Sequence, residues 1–266
     1  KVMTLIRVIL VLLFMSSQGA LAFGTEGHRV VAKLTASLMS DQTEQAMEAI
    51  MGKYWRQEWV ASADWAADQS RRPGKTWMRK MHYTWFEVGD QAFDPEKNCM
   101  ENHCSVAAVL QSKMVLKGDH FSKQQKRQAL KYLVHYVADL HQPTNCGFSK
   151  DESGRKILLA TPDLKKVNLH WVWETGMMDK KASGWNTIAG QLRRDIEPES
   201  MSQWSGEMSP AQWVVECHQV SKDVAYRLAN KKSWDSEYFM EAEPTYNEQL
   251  IKASVRAAAM LNEIFE

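Results

Sequence analysis

The sequence predicts an all-α protein, a single multi-helix domain with at most a small β-hairpin. Three observations predict this class. Apolar residues recur at helical spacing in segment after segment, only one short stretch resembles a strand, and no low-complexity tract or second long apolar run divides the chain. A chain of 266 residues suits one large domain or two small ones, and one domain is the simpler interpretation.

Apolar residues at intervals of three and four predict the helices in order along the chain. The first two helices are predicted at residues 27–38 and 41–51, and the third at 125–140, ending just before Pro143. Further helices are predicted at 185–196, 210–229 and 248–265. Residues 156–159 are the strand-like stretch, which is the reason for allowing a hairpin.

The first 22 residues have the order typical of a secretory signal peptide. Lys1 and Arg7 precede an apolar run at 8–15, and the small residues of Ala-Leu-Ala follow at 20–22. A retained membrane anchor is the alternative, but the run is shorter than the roughly 20 residues that a spanning helix needs. We therefore predict a signal peptide at 1–22 and a mature domain at 23–266 that begins with Phe23. The protein is expected to be periplasmic or secreted, without stable membrane insertion.

The charge balance argues against broad electrostatic capture of duplex DNA. The whole sequence has 33 Lys and Arg against 32 Asp and Glu. Loss of residues 1–22 removes two basic residues and no acidic one, which leaves 31 against 32. Duplex binding relies on many phosphate contacts by Lys and Arg. A nucleic-acid substrate of this nearly neutral chain must therefore be held locally, at the active site.

The four cysteines lie in the part of the chain that is predicted to be exported, where disulfides form. Four cysteines allow three pairings. Cys99 and Cys104 are close in sequence and flank a loop, so we pair them with each other and Cys146 with Cys217. Zinc-binding thiolates are the weaker alternative, because the sequence has no CxxC pair.

Imidazole and carboxylate groups recur in pairs at helical spacing. His135 and Asp139 lie four residues apart in LKYLVHYVADLHQP, and His170 and Glu174 repeat this spacing. Residues four apart share a helix face, so each pair is a candidate for metal binding, although His and Asp also form plain hydrogen-bonded pairs. Zinc accepts both ligand types, and helical bundles build metal cores from such pairs on separate helices. The other clusters are Gly27-His28, Asp68 with Arg71, and His82-Tyr83.

These motifs resemble those of the zinc-dependent single-strand-specific nucleases and 3'-nucleotidases, a family related to bacterial zinc phospholipase C. The match runs from Phe23-Gly24-x-x-Gly27-His28 through Asp68-x-x-Arg71 and His82-Tyr83 to the segments of His135, Asp139, His170 and Glu174. The resemblance implies the helical fold of the phospholipase C and single-strand nuclease type, with three zinc ions in one cleft.

The resemblance also assigns the ligands of these three ions by position. The first ion falls on the α-amino group and carbonyl of Phe23, with His28 and Asp139; the second on Asp68, His82, His135 and Asp139, which bridges the two; the third on Asn145, His170 and Glu174.

Two departures from the family pattern concern the third ion. Asn145 stands where the family has a His, and an amide oxygen is a poor substitute for imidazole on zinc. The family's glycine motif is degraded at Ser153-Gly154-Arg155. The third ion is therefore expected to bind weakly, to be replaced by another metal or to be absent.

Two further departures concern the carboxylate of the second ion and the base. Trp65 lies three residues before Asp68 rather than two, and Asp64 directly precedes that Trp. Asp68 is the predicted ligand because Val-Ala-Ser at 60–62 and Arg71 align without a gap, and Asp64 remains the alternative. Trp85 stands where some fungal members have the Asp that reads the base edge, so base preference is not transferred.

The resemblance implies a phosphodiesterase that hydrolyses single-stranded RNA or DNA to 5'-phosphorylated products, with 3'-nucleotidase activity as a second expectation. Arg71, Asp68 and Asp139 are the predicted catalytic residues, with Arg71 neutralising the equatorial phosphate oxygens. Tyr83 is predicted to stack on an unpaired base, with a core aromatic as an equally weighted alternative. We expect a single-stranded nucleic acid or nucleotide as substrate, and a monomer.

Two other functions remain open at this point. A zinc phospholipase C is favoured by Glu174, since that branch has Glu there, and by eleven Trp that could build a head-group pocket. An inactive zinc-binding scaffold is favoured by Asn145 and the degraded glycine motif. Among the other histidines, His141 is a candidate to support Asp139, and His103, His120 and His218 are interpreted as loop or surface residues.

Overall fold

The computed structural model of the chain describes residues 23–266, and the predicted signal peptide at 1–22 lies outside the described residues. The α-helices are α1 Gly24–Ala36, α2 Asp41–Met51, α3 Trp55–Ala61, α4 Trp65–Ser70, α5 Pro95–Asn98, α6 Ser105–Lys117, α7 Lys123–Asp139, α8 Leu169–Trp171, α9 Met177–Asp179, α10 Trp185–Arg194, α11 Pro198–Gly206, α12 Pro210–Val220, α13 Arg227–Ala229 and α14 Ser236–Phe265. Shorter 3-10 turns span Thr76–His82, Met100–Asn102, Pro143–Cys146 and Ser149–Asp151, and π-helical turns span Val172–Gly176 and Ser221–Tyr226.

Helix α1 lies at the centre of the fold. Its residues Val30, Val31 and Leu34 are buried, at the spacing that predicts this helix. The helix contacts α3, α7, α10 and α14, so neighbours cover it along its length. Gly27 and His28, near its start, are buried as well. The beginning of α1 is therefore an interior position.

Helix α7 carries chemistry-bearing side chains into the core. Its start is fixed by a capping box, in which the Ser122 hydroxyl accepts from the Gln125 N–H at 3.3 Å and the Gln125 side chain accepts from the Ser122 N–H at 2.9 Å. Every residue from Leu133 to the end of the helix is buried. The imidazole and carboxylate of its last turns are thus removed from bulk water.

A short hairpin precedes the third predicted ligand group. Strands β1 Leu158–Ala160 and β2 Lys166–Asn168 pair antiparallel, with Leu158 opposite Asn168. The Asn168 side chain then accepts the N–H of Trp171 at 2.8 Å and so caps α8. The chain continues from α8 into the π-helical turn that carries Glu174. Within residues 23–266 this hairpin is the only sheet.

Both predicted disulfides are confirmed. Cys99 pairs with Cys104 and Cys146 with Cys217. The second bridge ties the turn Pro143–Cys146 to α12, across 71 residues of sequence. No cysteine of the described part is left unpaired, so none is available for zinc.

The predicted all-α class is confirmed, and two helices differ from their predicted extents. Helix α14 begins at Ser236 rather than near 248, and Pro244 lies inside it. A proline is unfavourable inside a helix because it lacks an N–H, but Tyr238 and Ala242 before it are fully buried and hold this part in place. The helix predicted at 210–229 contains the π-helical turn Ser221–Tyr226. In the part of the chain described here, every helix is too short or too polar to cross a membrane.

Candidate metal centre

The start of α1 is fitted closely against the Glu174 segment by two glycines. Gly24 has a φ of +55°, and a Cβ there would lie 2.9 Å from the carbonyl oxygen of Glu174. A Cβ at Gly27 would lie 2.8 Å from the Cβ of Phe23, which is fully buried. Both positions therefore require glycine. They explain the glycines of the motif that begins at Phe23.

Four side chains meet at this point in the core: His28 from α1, His82 from the turn Thr76–His82, and His135 and Asp139 from α7. The Asp139 Oδ1 lies 3.4 Å from Nε2 of His28, and its Oδ2 lies 2.9 Å from Nδ1 of His82 and 3.4 Å from Nε2 of His135. The rings of His28 and His135 stack with their centroids 4.0 Å apart. Single ligand atoms of His28, His135 and Asp139 all lie within 4.8 Å of one another, close enough for one ion.

Backbone carbonyls orient two of these imidazoles. Nδ1 of His28 donates to the Gly24 carbonyl at 2.9 Å, and Nδ1 of His135 donates to the Ala63 carbonyl at 2.8 Å. Each ring therefore presents a lone pair on Nε2 toward Asp139. Among the residues described, Nε2 of His28 and of His82 are buried without a hydrogen-bond partner. Buried acceptors of this kind are costly unless a donor or a cation satisfies them, so the group fits a divalent metal ion.

The electrostatics of the cluster also suit a cation. Burial opposes ionisation of Asp139, but His135 and His82 hold the pKa of this carboxyl well below its usual value. Burial, together with His28 and His82, holds the pKa of His135 well below that of a free imidazole. An ionised carboxylate beside a neutral imidazole is the state in which both groups bind zinc.

The structure brings Asp64, and not Asp68, to this cluster. The Asp68 side chain is 59% exposed, and its Oδ1 lies 2.5 Å from Nη2 of Arg71. Asp64, at the start of α4, accepts from the Thr25 hydroxyl at 3.0 Å, while its Oδ1 is buried without a partner in the described residues. Of the two candidate carboxylates, Asp64 is thus the one next to the core, and Asp68 lies one helical turn further toward the surface.

Arg71 lies at the margin of this cluster. Burial raises the pKa of Asp64, and the nearby charges of His28 and Arg71 oppose the rise. Burial likewise raises the pKa of Glu174, and Arg71 is among the cations that oppose it. Arg71 is therefore near enough to act on an anion bound there, although its own contact is with Asp68.

The third predicted ligand set comes together, and its imidazole is already engaged, whereas Asn145 Oδ1 and Glu174 Oε1 are buried without a partner among the described residues. Asn145 donates from Nδ2 to Asp139 Oδ1 at 3.3 Å. Nε2 of His170 lies 2.8 Å from Nη2 of Arg155 and 3.6 Å from Oε2 of Glu174. A permanently charged guanidinium on the imidazole lone pair competes with any metal ion at that nitrogen. These residues do not fit a zinc ion as they stand.

A groove opens beside Tyr83, which is half-buried. The Tyr83 hydroxyl accepts from Nη2 of Arg155 at 2.7 Å, and burial raises the pKa of Tyr83 to about 12. The Trp85 ring lies 5.8 Å from that of Tyr83 and is 37% exposed. The groove has a volume of about 280 Å³, and its lining includes the cationic side chains Arg79, Lys80 and Lys97. It can accept an unpaired base and a phosphate backbone together.

Two other histidines differ from their predicted places. His141 does not support Asp139: its Nδ1 bonds the Val137 carbonyl at 2.8 Å and its Nε2 accepts from Nη1 of Arg256 at 3.0 Å. His218 is not at the surface but buried, with its ring 4.1 Å from that of Phe86. No spacing in the sequence indicates the contacts with Arg256 and Phe86, because both partners lie more than a hundred residues away along the chain.

The sequence offered Asp64 as the alternative to Asp68, because Asp64 directly precedes Trp65. The contact of Arg155 with His170 was not predicted, since the only signal for it was the degraded glycine motif at Ser153-Gly154-Arg155.

The model of the S1/P1 Nuclease family matches residues 23–266. Endonuclease 4 of Arabidopsis thaliana is 24% identical, over 93% of this chain and 90% of that protein. Nuclease S1 of Aspergillus oryzae is 23% identical over 91% of each chain, and Nuclease P1 of Penicillium citrinum is 26% identical over 61% of this chain and 60% of that protein. The family depends on zinc, in agreement with the buried cluster. Since the family model covers every described residue, this chain belongs to the S1/P1 nuclease family.

Proposed function

We propose that this chain is a zinc-dependent phosphodiesterase that cleaves single-stranded RNA or DNA to products with a 5'-phosphate, and that it also acts as a 3'-nucleotidase. The observation that carries the proposal is the buried cluster of His28, His82, His135 and Asp139, in which Nε2 of His28 and Nε2 of His82 lack partners among the described residues. It lies near a groove that combines aromatic and cationic side chains.

Two zinc positions are proposed around Asp139. Phe23, His28 and Asp139 would hold one ion, and Asp64, His82, His135 and Asp139 the other, with Asp64 in the place first given to Asp68. His28 and His135 would bind through Nε2, because a backbone carbonyl occupies Nδ1 in each. Zinc ions held there would make a water molecule nucleophilic near neutral pH and neutralise phosphate charge.

The chain's own residues position the substrate. We propose that Arg71 bonds the non-bridging phosphate oxygens, since its planar guanidinium suits phosphate and its charge acts on Asp64. Asp68, through its 2.5 Å contact, would hold Arg71 in place. Tyr83 would stack on an unpaired base, which a duplex cannot offer. This local grip agrees with the nearly neutral charge of the chain.

The alternatives are less well supported. A phospholipase C that recognises a choline head group would want an acidic aromatic pocket, whereas Arg79, Lys80 and Lys97 outnumber Glu87 in the groove. An inactive zinc-binding scaffold would account for the buried imidazoles but has no need of a cationic and aromatic groove beside them. We further propose that residues 23–266 act as one domain and as a monomer. Export to the periplasm or the medium is proposed as well, where both disulfides are stable.

The experiment combines metal analysis with four parallel substrates: single-stranded RNA, single-stranded DNA, duplex DNA and phosphatidylcholine. We expect bound zinc and cleavage of the two single-stranded substrates, with 5'-phosphate on the products. His135→Ala should lose both zinc and activity, whereas His120→Ala, which alters an exposed histidine outside the cluster, should lose neither. Cleavage of the lipid alone would identify a phospholipase, and zinc without any hydrolysis would identify a scaffold.

A further inference from the structure

The guanidinium of Arg155 lies among the residues that the family resemblance assigns to a third metal ion. It donates from Nη2 to the Tyr83 hydroxyl at 2.7 Å and lies 2.8 Å from Nε2 of His170. Building on the function proposed above, we propose that Arg155 replaces the third zinc ion, so that the enzyme works with two zinc ions and a fixed guanidinium.

A neutral imidazole has one ring nitrogen that can bind a metal ion, and in His170 this nitrogen accepts a hydrogen bond from Arg155. Nδ1 of His170 lies 3.1 Å from the carbonyl oxygen of Ser153, which only accepts, so Nδ1 carries the proton. Nε2 is then the acceptor, and it faces Arg155. The planar guanidinium of an arginine presents several fixed N–H groups, so Arg155 bonds His170 and Tyr83 at the same time.

The other two residues of this ligand set, Asn145 and Glu174, do not compensate for the loss of His170 as a metal ligand. The Asn145 Oδ1 is buried without a partner among the described residues, while its Nδ2 is bonded to Asp139, but an amide oxygen binds zinc only weakly. Glu174 is buried with one oxygen unpaired among the described residues, and it lies 3.6 Å from His170 Nε2. That carboxylate contributes negative charge that suits either a metal or a guanidinium.

The backbone around Arg155 is shaped to hold its side chain here. Glu152, Ser153 and Gly154 have φ values of 55°, 63° and 82°, three successive left-handed residues. The Asp151 carboxylate accepts the Gly154 N–H at 2.6 Å and thereby fixes this turn. The guanidinium then lies over the Tyr83 ring, 5.1 Å from its centroid.

A guanidinium fixed in this position can stabilise negative charge on the substrate, as a metal ion would. Its contacts to Tyr83, to His170 and to the Glu152 carbonyl use three of its five N–H groups within residues 23–266. The remaining N–H groups can bond a phosphate oxygen or the leaving 3'-oxygen. In hydrolysis, water forms the new P–O bond while the bond from phosphorus to the 3'-oxygen breaks. The electron pair stays on the 3'-oxygen, which takes up the proton that water releases, and Arg155 stabilises the charge in between.

The test counts zinc ions per chain after saturation with zinc and removal of weakly bound metal. Wild type should retain two ions, and Asn145→His combined with Arg155→Gly should retain three, because it restores an imidazole and frees His170. Asn145→His alone should still retain two. Lys156→Gly, next to Arg155 and with no contact to the site in the described residues, is the matched control and should retain two.

Activity on single-stranded RNA gives a second readout. Arg155→Gln should lower kcat about 100-fold to 1,000-fold, the usual effect of removing one charge-stabilising donor, and leave the two zinc ions in place. Three ions in wild type with full nuclease activity would overturn this inference alone. Two ions in both wild type and the double variant would overturn it too, since Arg155 would not be what excludes the third. Fewer than two ions, with no nuclease activity in wild type, would instead refute the proposed function.

Discussion

Replacing Asp64 by Asn should weaken zinc binding, whereas replacing Asp68 by Asn should not. Asp64 has a buried oxygen without a partner in the described residues, and Asp68 is 59% exposed. Loss of even an outer-shell group costs 10-fold to about 100-fold in affinity, so we take about 100-fold for a direct ligand. At about 1.36 kcal/mol per tenfold, zinc would then stabilise the variant by about 2.7 kcal/mol less. For a domain of this size, about 2–4 °C per kcal/mol makes this a loss of about 5–11 °C in the zinc-induced rise of Tm.

The assay is thermal unfolding of each variant with zinc and with chelator. Without metal, Asp64→Asn should be as stable as wild type or more so, because burial raises the pKa of Asp64 and disfavours its charge. Asp68→Asn loses only an exposed ion pair with Arg71, worth about 0.2–1 kcal/mol, and should keep the full zinc response. A zinc response lost in Asp68→Asn but intact in Asp64→Asn would refute the reasoning.

Three further predictions concern stability. Gly27→Ala should cost about 1–3 kcal/mol, since its Cβ would lie 2.8 Å from another Cβ, whereas Gly190→Ala, with open space around it, should gain up to about 1 kcal/mol in urea unfolding. Burial lowers the pKa of His218 in the folded protein, so the stability that neutral His218 contributes is present above the unfolded pKa of about 6.5 and is lost as the pH falls below 6.5. His218→Gln should therefore flatten the fall in Tm between pH 7 and 5, and an unchanged slope would contradict this. Replacing Cys146 and Cys217 by Ser should cost about 4 kcal/mol in urea unfolding, against about 2 kcal/mol for the other disulfide, because the loops span 71 and 5 residues; equal losses would count against the chain-entropy argument.

Local spacing predicted much of the fold and part of the site. The pair His135 and Asp139 was identified because residues four apart share a helix face, and the structure places both in the buried cluster. The same rule cannot choose between Asp64 and Asp68, because these two residues are also four apart and are therefore predicted to lie on the same helix face. Which of them is buried depends on how deeply α4 enters the core.

Long-range packing explains the remaining differences. Arg155 reaches His170 only because three left-handed residues turn the chain, and two of these are not glycines. Helix α14 extends through Pro244 because tertiary burial outweighs a local preference. Neither cause is visible in a window of ten or fifteen residues.

The side chains of the buried cluster come from distant parts of the chain, which determines when the protein can become active. His28, His82 and His135 are each more than fifty residues apart along the chain and meet only when α1 and α7 have docked. An unfolded chain has no preformed metal site, so a metal ion can be captured there only after these parts of the chain have come together. A nuclease built in this way is harmless during its synthesis and would leave the RNA of the cell that makes it intact until the finished fold acquires zinc.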